Sequence, residues 1–168
     1  DDYILIEGYK HIRYKQEIFS ESEILKKSKD YFEWANKRRS VRHFSDIEVP
    51  IEIIENIIKT ASTAPSGANK QPWTFCVVKS AEIKKEIRLA AEAEERKSYN
   101  ERMSDVWLED LKHLGTDANK PFLETAPYLI IVFKRVFEYD TEVKKHQNYY
   151  VNESVGLACG FLISAIHN

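Results

Sequence analysis

The stretch Thr60–Trp73 (Thr-Ala-Ser-Thr-Ala-Pro-Ser-Gly-Ala-Asn-Lys-Gln-Pro-Trp) confines this chain more tightly than any other. Before it, Val49-Pro50 opens a segment in which Ile51, Ile53, Ile54, Ile57, Ile58 and Ala61 recur at helical spacing between Glu52, Glu55, Asn56 and Lys59. After it, Trp73–Val78 is aromatic and β-branched, which predicts a strand, and its continuous apolar run predicts burial on both faces. A helix must therefore end and a strand begin inside this one stretch. Pro65-Ser66-Gly67 predicts how: proline fixes φ, and glycine supplies angles that other residues avoid. The side chains around the turn are small, so the backbone can approach a ligand. Successive N–H groups in such a turn can form a nest for an anion or a polarised oxygen. An ordinary helix-to-strand connection reads the same way.

The remaining elements fall around it. Asp1–Phe19 has no clear period and reads as an arm or a disordered lead. Ser20-Glu21-Ser22-Glu23 predicts a helix start with acids at its positive end. That helix runs into Lys37-Arg38-Arg39-Ser40-Val41-Arg42-His43-Phe44. Three guanidinium groups with a hydroxyl between them suit a phosphate, because the planar fork donates paired hydrogen bonds; a solvated basic helix end gives the same pattern. Ser80 is placed to cap a helix over Ala81–Asn100. Late in it, Glu95 and Tyr99 lie four apart, hence on one face, where a carboxylate and a phenol can hold an ammonium and a carboxylate. A charged surface helix looks alike. The charged, aromatic, interrupted region from about Glu92 to Lys120, with a helix over Met103–His113, has the make-up of a lid over a site, or of a peripheral helical pair. Tyr128–Phe133 predicts a second buried strand, Glu138–Gln147 a polar excursion, and Val151–His167 a helix apolar round most of its circumference, as befits a core or a subunit interface.

Several classes are disfavoured. A net charge of −2, from 25 basic against 27 acidic residues, gives no electrostatic case for nucleic acid. Cys76 and Cys159 lie far apart in apolar runs and read as buried thiols. His11, His43, His113, His146 and His167 are scattered and read as surface or capping residues. No apolar run reaches membrane-spanning length. The 168 residues fit a single core, and a beginning at Asp1 with an end at Asn168 inside a helical pattern suggests part of a longer protein.

Arg38-Arg39-Ser40-Val41-Arg42, then Thr63-Ala64-Pro65-Ser66-Gly67-Ala68 and Gln71-Pro72-Trp73, resemble the nitroreductase-fold flavoproteins. Within that family the chain is most similar to the halotyrosine-dehalogenating branch. The likeness takes in Glu92–Met103, Trp107-Leu108-Glu109-Asp110-Leu111, Ala126-Pro127-Tyr128, and Tyr149-Tyr150 leading to Ala158-Cys159-Gly160. The arginine-rich run marks only the broad fold; the Pro-Ser-Gly-Ala turn together with Glu95, Tyr99 and Lys120 is the more specific sign.

The resemblance implies an α+β nitroreductase fold, a central sheet flanked by helices in an intertwined homodimer, with residues 1–20 as an N-terminal arm, 21–168 as the FMN-binding domain and a lid over about 92–120. It implies FMN bound without a covalent link at the dimer interface. Arg38, Arg39, Ser40 and Arg42 would hold its phosphate, ribityl and pyrimidine portions, and Ser66 and Gly67 would line the flavin. The N–H of Ala68 would donate to the substrate's phenolate oxygen. Glu95 would take the ammonium of an amino-acid substrate, and Tyr99 and Lys120 its carboxylate. The implied reaction is reduction of mono- and diiodotyrosine to tyrosine and iodide, with NADPH as ultimate donor through a separate reductase. Animal members carry a membrane anchor before the domain and bacterial ones do not. Members also continue past the last helix seen here, into a threonine at the flavin N5, a further phosphate-binding arginine and a strand that completes the partner's sheet; none of these is in this sequence. A general nitroreductase or flavin reductase on the same fold, and a non-catalytic interaction module, are the alternative readings.

Overall fold

The computed structural model describes residues 3–168, so Asp1 and Asp2 of the expected arm lie outside the described residues. The chain divides into two units, Asp1–Arg39 and Ser40–Asn168. The first begins with an antiparallel hairpin, β1 (Tyr3–Ile6) and β2 (Tyr9–Ile12), where the sequence shows no period. Its two-residue loop, Glu7-Gly8, has both residues at positive φ, the arrangement whose twist matches a tight hairpin. Helix α1 (Glu21–Ala35) follows with a full capping box: the Ser20 hydroxyl accepts from the Glu23 N–H, and the Glu23 carboxylate accepts the Ser20 N–H at 2.8 Å.

The second unit carries α2 (Ile51–Ala61), β3 (Trp73–Val78), α3 (Ala81–Lys97), α4 (Asp105–Lys112), the single turn α5 (Phe122–Thr125), β4 (Leu129–Lys134), β5 (Phe137–Tyr139), β6 (Lys145–Gln147) and α6 (Val151–His167). Strands β3 and β4 pair antiparallel, Trp73 opposite Lys134 and Val78 opposite Leu129. Helix α6 packs against α2 and β4. Ala61 and Ala158 are fully buried there; without larger side chains the two helices can approach closely. Trp73 is buried among Ala64 and Ala158, with Phe75 and Val155 against it. Truncating a buried tryptophan costs about 3–5 kcal/mol, so Trp73 is the anchor that ties the end of the Thr60–Trp73 stretch to the core.

Three expectations are corrected. The strands are not buried on both faces: along β3 the alternate residues Thr74 and Cys76 are exposed, while Trp73 and Phe75 pack towards Ala158 and Val155 of α6. Cys76 is accordingly an exposed thiol, and Cys159 is half-buried. The polar excursion is a second hairpin, β5–β6, whose turn is organised by Asp140: its carboxylate accepts the N–H groups of Glu142 and Lys144 and pairs with His146 at 2.7 Å. Helix α6 is apolar round much of its circumference, as its sequence predicts: within this chain it buries Ser154, Ala158 and Leu162, one stripe at four-residue spacing, and leaves Leu157, Phe161, Ile163 and Ile166 exposed. Among the described residues no helix is long and apolar enough to cross a membrane.

Candidate functional site

Helix α2 ends at Ala61 with Ser62 as its cap, and the chain then makes a single 3₁₀ turn at Gly67–Asn69. Ala68, Asn69 and Gln71 all take left-handed angles, with φ of 49°, 53° and 45°. This reverses one expectation. Gly67 is not the residue with the unusual angle; its neighbours are. Glycine is required at 67 by proximity, since a β-carbon there would lie 2.9 Å from Tyr150 Cδ2 and 3.0 Å from the Tyr149 carbonyl oxygen. The wall that crowds it is itself fixed. Asn148 is buried, donates its side-chain N–H to the Arg135 carbonyl at 2.8 Å and its main-chain N–H to Val136 at 2.9 Å. That clamp sets Tyr149 and Tyr150 just ahead of α6.

Hydrogen bonds then commit most donors of the turn. Asn69 and Lys70 donate to the carbonyls of Ser66 and Gly67, each at 3.0 Å. Gly67 donates to Ser154 Oγ on α6, and Gln71 donates to Ser66 Oγ at 2.8 Å. The N–H of Ala68 takes no part in these bonds, and the Ser66 hydroxyl keeps its own proton to donate. Lys70 pairs with Glu138 at 2.7 Å and so ties the turn to β5.

Of the expected Glu95, Tyr99 and Lys120 group, the structure brings Glu95 and Lys120 together, and Tyr99 bonds to Thr116. Beyond Lys97 the helix widens into a π turn over Ser98–Arg102, closed by Met103 N–H to Ser98 O at 3.0 Å. Glu95 Oε2 lies 3.3 Å from Lys120 Nζ. The Tyr99 hydroxyl bonds Thr116 Oγ1 at 3.0 Å, one residue before Asp117, whose carbonyl accepts from Lys120 Nζ at 2.7 Å. Helix α4, capped by Ser104, lies in the chain between these partners and leaves Val106 and Trp107 exposed.

A layer beneath was missed. Glu92, 6% exposed, accepts Arg88 Nε at 2.7 Å and the Lys120 main-chain N–H at 2.8 Å. The Arg88 hydrogen bond, with that from Lys120, holds the Glu92 carboxyl below its ordinary range. Arg88 continues to Glu124 at 3.1 Å, and buried Lys84 donates to the carbonyls of Glu124 and Ala126. Lys84, Arg88 and Glu92 are spaced by four, so the signal was present, but such spacing ordinarily marks a solvated face.

The arginine run is split between the two units. Arg38 and Arg39 close the first, and Arg39 donates to the carbonyls of Asn36 and Arg38. Ser40 and Arg42 open the second. Among the described residues, neither Arg38 nor Arg42 forms an ion pair with a carboxylate, which leaves both guanidinium groups uncommitted to protein acids.

Against known proteins, the nitroreductase family model matches residues 35–167. The chain is 58% identical over 149 residues to an iodotyrosine deiodinase of Haliscomenobacter hydrossis, covering 89% of this chain and 67% of that protein. It is 46% identical over 162 residues to the human iodotyrosine deiodinase 1, covering 96% of this chain and 56% of that one; the chain thus spans little more than half the length of its mammalian relatives. Among solved structures, an oxidised iodotyrosine deiodinase bound to FMN and 3-iodo-L-tyrosine is similar, with a TM-score of 0.68 at 34% identity over 81% of this chain and 68% of that one. A flavoprotein of Clostridium difficile described as BluB-like is similar at a TM-score of 0.55 and 26% identity, over 81% of this chain and 69% of that one.

Proposed function

The chain belongs to the nitroreductase family, and from that premise we propose that it serves FMN-dependent reductive dehalogenation of 3-iodotyrosine and 3,5-diiodotyrosine to tyrosine and iodide. The observation that carries this reading is the pair Glu95–Lys120, opposite charges 3.3 Å apart. An amino acid presents the same two charges in reverse: its ammonium matches Glu95, and its carboxylate matches Lys120 and the Tyr99 hydroxyl. Hydrogen bonds to charged groups of this kind contribute about 1.5–3 kcal/mol each, so a halotyrosine gains over a halogenated phenol that lacks the zwitterion.

The donor set fits FMN. Arg38 and Arg42, in no ion pair with a carboxylate among the described residues, with Arg39 and the Ser40 hydroxyl, would hold the phosphate, ribityl and pyrimidine portions. Ser66 and Gly67 would line the flavin. When bound and reduced by the separate reductase, FMN would supply the two electrons that, with one proton, replace the carbon–iodine bond by carbon–hydrogen and release iodide. The protein's own share is positional. Ala68 would offer its N–H, which the turn's own hydrogen bonds leave out, to the phenolate oxygen, where negative charge is stabilised best by a donor fixed beforehand. The residues from Glu95 to Lys120 enclose the amino-acid end and keep water from it.

A homodimer is part of the same reading. The exposed Leu157, Phe161, Ile163 and Ile166 of α6 offer apolar surface that a second copy would cover, and an NADPH-dependent reductase would renew the flavin.

Colour tests the proposal. The full-length protein is expected to be yellow and to bleach under dithionite, and iodotyrosine added without air should restore the oxidised spectrum with release of iodide. Restoration by nitroaromatics alone would point to a general nitroreductase. Failure to take up FMN under any loading condition would sink the flavoenzyme reading.

A further inference from the structure

We infer that Glu92 is a positioning residue for the substrate's carboxylate: it holds the main chain of Lys120, so that the Lys120 ammonium stands where Glu95 and an amino-acid ligand meet. The inference rests on the dehalogenase reading above. A buried carboxylate has to find partners, and those of Glu92 are specific. One oxygen accepts both Arg88 Nε and the Lys120 N–H, at 2.7 and 2.8 Å, and the other lies 3.8 Å from Arg96. Arg88 is itself braced by Glu124 at 3.1 Å. Lys84, two turns before Glu92 on α3, binds the carbonyls of Glu124 and Ala126 that end α5.

The result is that one helix grips one residue twice. Glu92 takes the Lys120 backbone, and Glu95, three residues on, faces its ammonium at 3.3 Å. Lys120 is also the last residue before Pro121, and its side chain is only 15% exposed. A flexible lysine normally loses much side-chain freedom when it binds a ligand. Fixing its backbone and its neighbours beforehand reduces that loss, which is what a specificity site requires of its supports. Lys84, Arg88 and Glu124 join α3 to the body and end of α5; the bond from Glu92 carries that union to Lys120, whose carbonyl opens α5, and so reaches the ligand-facing residue itself.

The test uses full-length, FMN-loaded protein, with 3-iodotyrosine and 2-iodophenol titrated separately by flavin fluorescence. Glu92→Ala is expected to raise the dissociation constant for iodotyrosine about tenfold or more, while 2-iodophenol, which has no carboxylate to meet Lys120, stays within about threefold. Glu92→Gln keeps an oxygen for the Lys120 N–H and is expected to recover most of the affinity. Equal losses for both ligands, or an unchanged iodotyrosine affinity in Glu92→Ala, would overturn the role. If that variant does not fold, Glu92→Met, closer in size, takes its place. Amide hydrogen exchange needs neither variant nor cofactor: the Lys120 amide of the wild type should exchange far more slowly than that of Asp117, and equal rates would overturn the clamp. Wild-type protein that fails to bind iodotyrosine overturns the dehalogenase reading and this role together. Wild-type affinity that survives Glu92→Ala overturns this role alone.

Discussion

Gly67 lies so close to Tyr150 that a β-carbon on it would come within 2.9 Å of the tyrosine ring. The Tyr149 carbonyl, at 3.0 Å, closes the other side, and that is backbone held in place through Asn148. Gly67→Ala therefore has to move main chain. Overpacking of this kind costs about 1–3 kcal/mol. Urea denaturation should show a lowered midpoint at an unchanged slope, and a midpoint equal to the wild type would show that the Tyr149–Tyr150 segment yields freely.

Glu95 faces Lys120 across 3.3 Å. Glu95→Gln retains shape and loses charge. Iodotyrosine binding should weaken by about tenfold or more through loss of one charge-assisted contact, with FMN occupancy unchanged. Titration by flavin fluorescence decides it; unaltered affinity would remove Glu95 from the site.

Lys84 is buried and donates to two carbonyls at the end of α5, at 2.9 and 2.7 Å. Lys84→Met fills the same space without a donor. Leaving buried acceptors unpaired costs about 1–3 kcal/mol, which scanning calorimetry should register as a lower Tm. Because α5 follows directly on Lys120, iodotyrosine affinity should fall as well. A variant as stable as the wild type would mean that water replaces the ammonium at both carbonyls.

Glu138 and Lys70 join β5 to the turn, and their effect depends on pH. The hydrogen bond from Lys70 is the chief reason that the Glu138 carboxyl is held below its ordinary value of 4.5, and the same bond raises Lys70 above 10.5. A lowered carboxylate contributes stability that is complete above its unfolded value and is lost as pH falls through the folded one. A raised ammonium contributes below its unfolded value and loses its effect as pH rises through the folded one. The pair is thus fully effective from roughly pH 5 to 10. Thermal melts should show Tm dropping as the medium is acidified below about pH 4.5, with a shallower drop in Glu138→Gln. Parallel curves for the two proteins would rule the pair out as a source of the acid sensitivity.

Much of this arrangement could be read from residue order, and the parts that could not have identifiable causes. Ser20 and Glu23 make their capping box, and the isoleucine pattern of α2 runs from Pro50 to Ala61 as its period predicts. Those signals are local. The burial of β3 and β4 was not legible because a continuous apolar run reports what a strand prefers, whereas Cys76 is covered only if some other element reaches it. Hairpin β5–β6 escaped because its strands are three residues long and polar, and its organiser, Asp140, works through hydrogen bonds that leave no periodic trace. At the site, Glu95, Tyr99 and Lys120 were found by likeness to a family, and the structure brings Glu95 and Lys120 into contact. Glu92 was overlooked since its decisive partner, the Lys120 N–H, is a main-chain atom that every residue but proline possesses.

Ala68, Asn69 and Gln71 each hold a left-handed backbone without being glycine, at roughly 1–2 kcal/mol apiece for an L-residue. That expense is met once, while the polypeptide is folding, by the core packing of Trp73 and the grip of Ser154 and Ser66 on the turn. An oxygen that docked at the Ala68 N–H, as proposed, would then meet a donor that is already stiff, and its association would carry no share of the work of shaping the loop. The strain therefore belongs in the protein's thermal stability, and its absence belongs in the entropy of ligand capture.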